Sequence, residues 1–228
     1  MIRLYIIVEG GTEQEFVKQL LAPHLNAQQV WTTPIEVTTK TDRKTGQKLA
    51  QGGGRWTHWR KDIRTVLRSS AADLWVTSLF DLYGLPDDFP QVAVCNAERD
   101  TVRRAAMLEK AMREDIEDPR FVPYIQRHEF EALVLSGLEH LREQLVDADA
   151  RSAVDELQKE LGATAPEDVN DGPATAPSKR LLARVPGYGK KIHGPLVTSK
   201  VGIAGLKRRC PRFGAWVESL EALGTQRS

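Results

Sequence analysis

Residues Leu4-Tyr5-Ile6-Ile7-Val8 form an apolar, β-branched run that stops at a carboxylate, Glu9, and passes through Gly10-Gly11 into Thr12-Glu13-Gln14-Glu15-Phe16-Val17. Such a run reads as a buried strand. Thr12 is placed to cap a following helix, and Glu15, three residues on, completes a capping box. Phe16, Leu20 and Leu21 extend an apolar stripe at helical spacing. The arrangement puts Glu9 at the C-terminal end of a strand that feeds a helix, where open α/β sheets place their ligands. Glu13 lies in the first helical turn and faces the same way.

The pattern repeats along the chain. A second strand is expected near residues 34–39, where Ile35 and Val37 alternate with polar neighbours. Residues 41–55, rich in Gly, Lys and Gln, read as a flexible loop. A helix over 56–68 has an apolar face of Trp56, Trp59, Ile63, Val66 and Leu67. A third strand covers 74–80 and ends at Asp81. A helix over 98–116 leads to a fourth strand over 120–126, ending near His128-Glu129. Strands separated by helices imply a parallel sheet covered on both faces.

After Leu133 the chain reads as helical. We expect an α/β core over residues 1–137 and a helical region over 138–228, with a mobile linker near 162–177 where Pro, Ala, Thr and acids replace periodic apolar residues. Residues 178–223 form a helical cap that folds back on the sheet, because Leu181, Leu182, Leu196, Phe213, Trp216 and their neighbours require burial.

With 228 residues and 41% hydrophobic content the chain buries a sizeable core. Cys95 and Cys210 make no disulfide framework and suit a reducing, cytoplasmic setting. The apolar run before Glu9 is too short for a signal peptide or membrane span.

The formal net charge of +1 conceals segregation. Between Arg43 and Arg68 the cations Arg43, Lys44, Lys48, Arg55, Arg60, Lys61, Arg64 and Arg68 face only Asp62. Between Ser178 and Arg212 there are ten cations and no acid, while His128 to Asp171 holds twelve acids against Arg142, Arg151 and Lys159. Charge distributed this way generates local fields. An acid-free run cannot neutralise itself locally, so the C-terminal block is expected to face an anion.

Strand ends decide the chemistry. In a parallel sheet Glu9, Asp81 and Glu129 or Glu131 converge on one edge. Hard cations such as Mg²⁺ take carboxylate oxygens together with water and substrate phosphates; without a cation the cluster repels itself and raises the pKa of at least one member. His128 either orients a neighbouring carboxylate or is a satisfied loop histidine. His193 either contacts phosphate or shuttles a proton, or simply ends a helix before Pro195. The triple glycine at 52–54 lacks the features of a phosphate-binding loop.

Val8-Glu9-Gly10-Gly11-Thr12-Glu13 resembles the first motif of the Toprim fold, in the form found in the overcoming-lysogenization-defect nucleases. The chain as a whole resembles domain-of-unknown-function family 4276, a Toprim-like family, through Phe80-Asp81-Leu82-Tyr83-Gly84-Leu85-Pro86, Gln126-Arg127-His128-Glu129-Phe130-Glu131-Ala132-Leu133, Pro177-Ser178-Lys179-Arg180 and Lys191-Ile192-His193-Gly194-Pro195. The resemblance implies a Rossmann-like, mostly parallel central sheet with helices on both faces. It implies Mg²⁺ or Mn²⁺ as cofactor and Glu9, Glu13, Asp81, Glu129 and Glu131 as ligands. By the same resemblance Glu9 and Asp81 are catalytic, and a basic residue from the C-terminal part assists, Lys179 and Lys191 being candidates by position. The usual Asp-x-Asp motif is here Asp81-Leu82-Tyr83, which departs at its second acid.

The expected function is a metal-dependent nuclease acting on DNA or RNA. Arg55, Arg60, Lys61, Arg64, Lys179, Arg180, Lys190, Lys207 and Arg208 are the expected backbone contacts, with Lys191, His128 and His193 beside the chemistry. Because the chain carries no ATPase motif, the resemblance implies a separate AAA- or ABC-type ATPase partner, in an antiphage defence system. The alternatives are a non-catalytic module that binds nucleic acid or a partner, and a phosphatase-like enzyme. Oligomeric state is open.

Overall fold

The computed structural model describes residues 1–41, 48–51, 53–170, 172 and 175–225. Arg43, Lys44, Gly52 and part of the expected linker lie outside the described residues. β1 (Ile2–Val8) leads into α1 (Gly11–Phe16), a π-helical segment (Val17–Leu21) and α2 (Ala22–Asn26), which follow one another without a break. Then come β2 (Val30–Glu36), β3 (Thr38–Thr41), β4 (Lys48–Gln51), α3 (Trp56–Leu67) and β5 (Leu74–Asp81). α4 (Val92–Cys95) and α5 (Thr101–Ile116) precede β6 (Phe121–Val122) and β7 (Ile125–Gln126). Helices complete the chain: α6 (Glu131–Leu135), α7 (Leu138–Gln144), α8 (Ala148–Leu161), α9 (Pro177–Arg184), α10 (Lys190–Arg209) and α11 (Pro211–Thr225).

The main sheet has the order β2-β1-β5-β6, with β7 also on β5, and every pair in it is parallel. β1 alternates faces as a two-sided strand must. Ile2, Leu4, Ile6 and Val8 enter a core shared with the π segment and α6 to α11, while Ile7 joins a second core with α3 and α5. Pro34 falls within β2, an edge strand where its missing N–H costs no ladder bond on the open side.

The expected fourth strand is interrupted. β6 and β7 keep one register against β5, since Val76 faces Phe121 and Phe80 faces Ile125. Pro123 supplies no N–H at the break, and the side chain of Ser78 bridges the gap: its hydroxyl donates to Tyr124 O and accepts from Tyr124 N, both at 2.9 Å. The expected second strand is divided between β2 and β3, and β3 pairs antiparallel with β4, which lies in the expected loop.

The helical region and the sheet share one hydrophobic core, which runs from Ile2 to Leu223. Trp216 of α11 stacks on Tyr124 at 4.3 Å, and its Nε1 donates to Thr77 Oγ1 at 3.0 Å. The segment expected to be a mobile linker is anchored over its described residues. Glu167 is buried and accepts from the main-chain N–H groups of Arg212 and Phe213 at 2.9 and 3.0 Å, satisfying the start of α11, and Val169 is buried too. Two apolar residues expected inside the cap, Leu182 and Leu196, are exposed. No described helix is long and apolar enough to cross a membrane.

Candidate acidic site at the switch point

β1 connects to β2 on one side, while β5 connects to β6 on the other. The crevice between the ends of β1 and β5 is therefore the topological switch point, where open α/β sheets bind ligands. Glu9 follows β1 and Asp81 ends β5. The two meet directly: Asp81 N donates to Glu9 Oε1 at 2.6 Å. Gly84 closes over this pair; a Cβ there would lie 2.6 Å from Glu9 Oε2, so any larger residue must displace the Glu9 carboxylate. At the helix start the capping box does not form. Gly10 occupies the N-cap position with no side-chain bond, and Glu15 turns to Lys18 and Gln19. The first turn thus leaves Glu13 directed at the crevice.

The electrostatics confirm that the acids are neighbours. Burial pushes Glu9 up to about 8, with Glu13 adding to the rise and the Asp81 N–H opposing it. Burial pushes Glu13 up to about 7, with Glu131 adding to it and Lys190 opposing. Asp81 is raised well above the usual carboxylate range by burial first, then by Glu9, Glu13, Glu131 and Glu129. The Glu9 and Asp81 residues keep some solvent access, yet Asp81 Oδ1 itself is buried without a hydrogen-bond partner among the described residues. One cation enters the cluster: Lys190 Nζ lies 3.2 Å from Glu131 Oε1, and Glu131 is only 3% exposed. Glu129 belongs to the rim, where its Oε2 accepts from Ser178 N at 2.9 Å and holds the start of α9.

The donor set is all oxygen and carries more negative charge than Lys190 offsets. That chemistry, with an orphaned buried carboxylate oxygen, suits a hard divalent cation. Glu9, Glu13, Asp81 and Glu131 are the residues to hold one. As placed, no three acidic, His or Cys side chains among the described residues stand at metal-ligating spacing, and Glu9 Oε1 is engaged by the Asp81 N–H.

The expected histidines take other roles. His128 adopts φ 65° and is buried; its Nδ1 faces Tyr83 Oη at 3.2 Å. Asn170 Nδ2 donates to the Tyr83 hydroxyl, which completes an Asn170–Tyr83–His128 chain. Burial, then Arg127, depresses His128 to about 4, so the ring is neutral. It orients a tyrosine rather than a carboxylate. Tyr83, the residue that breaks the Asp-x-Asp pattern, is therefore tied to the imidazole. His193 Nδ1 accepts from Gly189 N at 2.9 Å and caps α10, which continues through Pro195 rather than ending before it. Gly194 lets this first turn pack close to Phe130 and Thr12.

The cations divide. Lys190 lies in the crevice, and Lys179 and Lys191 are exposed near it. Most others are spent inside the protein. Arg55 pairs with Asp88 at 3.3 Å, Arg60 with Asp115 at 2.8 Å, and Arg64 donates to Asp115 O at 2.7 Å. Arg180 pairs with Glu160 at 2.8 Å and Lys207 with Glu221 at 2.9 Å. Lys61 is exposed on α3 and Arg208 near the far end of α10. Lys207 and Arg208 lie beyond the break in α10 at Gly202, whose φ of 72° is not helical, and so belong to a different helical piece from Lys190. The acid-free C-terminal block is thus partly paired in space, Arg180, Arg184 and Arg209 with acids of the block before it, Lys207 with Glu221 after it and Arg212 with Glu109.

Three residues of the site carry no sequence signal beyond their type: Asn170, Gly84 and Tyr188. The Tyr188 hydroxyl is buried without a hydrogen-bond partner among the described residues. Its pKa is raised by burial and then by Glu131 and Glu129, and its ring stacks on His193 at 5.7 Å.

The chain is similar to the C-terminal region of the Burkholderia pseudomallei OLD protein, at 16% identity and TM-score 0.47, over 98% of this chain and 99% of that one. It is also similar to the C-terminal region of the Xanthomonas campestris pv. campestris OLD protein, at 13% identity and TM-score 0.47, over 100% and 99% of the two chains. A search of curated proteins finds no match. The family profile described as "Domain of unknown function (DUF4276)" matches residues 8–221, so the chain belongs to that family.

Proposed function

We propose that this protein is a Mg²⁺- or Mn²⁺-dependent nuclease that hydrolyses phosphodiester bonds of DNA or RNA. The observation that carries the reading is the under-compensated carboxylate cluster at the switch point, with Asp81 Oδ1 buried and unpartnered. A bound divalent cation supplies a polarised phosphate and a water acidic enough to attack. Glu9, Asp81, Glu13 and Glu131 would hold it, and its charge would relieve the repulsion that raises their pKa values. Lys190, beside Glu131, places an ammonium at the edge of the crevice to meet a phosphate oxygen. Lys179 and Lys191 hold the strand by its backbone, a contact that gives affinity without sequence readout. The proposal extends to an ATPase partner in an antiphage defence system, on the resemblance of the first motif alone.

The test is cleavage of single-stranded and duplex DNA and RNA with Mg²⁺ or Mn²⁺, with and without an AAA- or ABC-type ATPase encoded beside it. We expect turnover that chelator abolishes and that Glu9→Ala and Asp81→Ala each remove while binding survives. One observation favours a second reading, a non-catalytic binding module: Tyr83 replaces an expected acid and is engaged by Asn170 and His128. Retained binding with no cleavage in any combination selects that reading.

A further inference from the structure

A cavity of about 470 Å³ lies away from the acidic crevice, between α6, α7, the end of α8, the segment after it and the last turn of α10. Its volume falls in the range of small-molecule sites, roughly 300–1,000 Å³. Leu135, Leu138, Leu161 and Val169 supply apolar walls. Two arginines line it, and they differ. Arg209 is spent, pairing with Glu139 at 2.7 Å and donating to Ser136 O. That pair cancels the only acid in the lining. Arg208 is exposed and makes no ion pair or hydrogen bond among the described residues, so the cavity carries one uncompensated positive charge. The segment along its wall is held in place rather than loose, because Glu167 secures the start of α11 and Asn170 reaches Tyr83.

A cavity with an apolar wall of Leu135, Leu138, Leu161 and Val169, polar groups such as Ser136, Gln158 and Thr164 on its lining, and one cation free among the described residues selects an amphipathic ligand. We infer that this cavity is a binding site for a small amphipathic monoanion, an apolar body bearing one carboxylate, sulfonate or phosphate-type group, with Arg208 as the anion anchor. The apolar body lies on the wall formed by Leu135, Leu138, Leu161 and Val169, and the anionic group meets the Arg208 guanidinium, whose planar fork suits an oxyanion. The site is independent of the acidic crevice and of any reaction there. It also assigns Arg208 to a ligand rather than to a nucleic-acid backbone.

The test uses 8-anilinonaphthalene-1-sulfonate, a dye with an aromatic body and one sulfonate. The full chain is titrated in metal-free buffer, and the dye's position is read by amide hydrogen exchange. We expect saturable one-to-one binding with protection at residues 135–139 and 158–169. Arg208→Glu should weaken it at least about tenfold, the scale of one lost charge-assisted contact. Lys110→Glu, on an exposed face of α5, should leave it unchanged, and the melting temperature of Arg208→Glu should match the parent because the side chain is exposed. Unsaturable binding, protection elsewhere, or equal affinity in Arg208→Glu would overturn the assignment.

Discussion

Two regions of this protein gather charge in opposite ways. At the switch point like charges meet: Glu9, Glu13, Asp81, Glu131 and Glu129 crowd one crevice, and among the described residues Lys190 is the cation that enters among them. Across the helical region opposite charges meet. Acids of residues 128–171 pair with cations of 178–212, Glu160 with Arg180 and Arg184 and Glu139 with Arg209. Both regions look charged and segregated along the chain. Only the first stores unfavourable electrostatic free energy, because burial amplifies its repulsion, whereas the exposed pairs of the second attract each other weakly through solvent. Uncompensated buried charge points to a ligand, whereas cross-paired surface charge points to packing.

The largest effects should come from removing a crevice acid. Glu9→Gln should cut metal-supported cleavage by about 10²–10³-fold, the scale of losing a preorganised electrostatic contact. The same change should stabilise the metal-free protein at alkaline pH. Glu9 carries a folded pKa of about 8 against an ordinary value of 4.5, so the folded state binds the proton more tightly. Its contribution to stability therefore declines as pH rises through that window. His128 works in the other direction. With a folded value near 4 against 6.5, it stays neutral when folded, and the stability it contributes is lost as pH falls through that range. Melting curves across both windows should show Glu9→Gln about 5 °C above the parent near pH 9, roughly 1–2 kcal/mol for a chain of this size, with the gap closing toward acid. A parent and variant that melt together at every pH would mean that the crevice does not store the repulsion described.

Gly84→Ala probes the same crevice without touching an acid. The added Cβ meets Glu9 Oε2 at 2.6 Å, so the carboxylate must shift. We expect a tenfold or greater loss of cleavage, since displacement by about 1 Å can cost on the order of 10² in rate. Far-ultraviolet circular dichroism should be unchanged. Full activity in this variant would show that Glu9 is free to move.

The cross-paired region should yield the smallest changes. Arg180→Ala should cost about 0–1 kcal/mol in melting experiments and leave cleavage intact. The free and the spent lysines give a finer contrast in nucleic-acid titrations. Lys191→Ala should lower the log–log salt slope for duplex DNA by roughly 0.9, while Lys207→Ala, which loses only its bonds to Glu221 and Glu218, should leave the slope alone. Equal slopes for the two variants would erase the distinction between the regions.

Much of this architecture is written in local sequence. Apolar runs that end at Glu9 and Asp81, and helical stripes such as Trp56, Trp59 and Ile63, state where strands and helices lie, because the side-chain periods of two and 3.6 are properties of the backbone. The convergence of Glu9 with Asp81 follows from that, since parallel strands share a C-terminal edge. The fate of the charges does not. Whether Arg180 meets a phosphate or Glu160, whether His128 orients an acid or Tyr83, and whether residues 162–170 swing free or hold α11 through Glu167 depend on contacts between segments far apart along the chain. An ion pair carries no periodicity and needs no fixed spacing. It forms wherever packing of the apolar faces brings two groups within reach, and that packing is settled only by the folded chain.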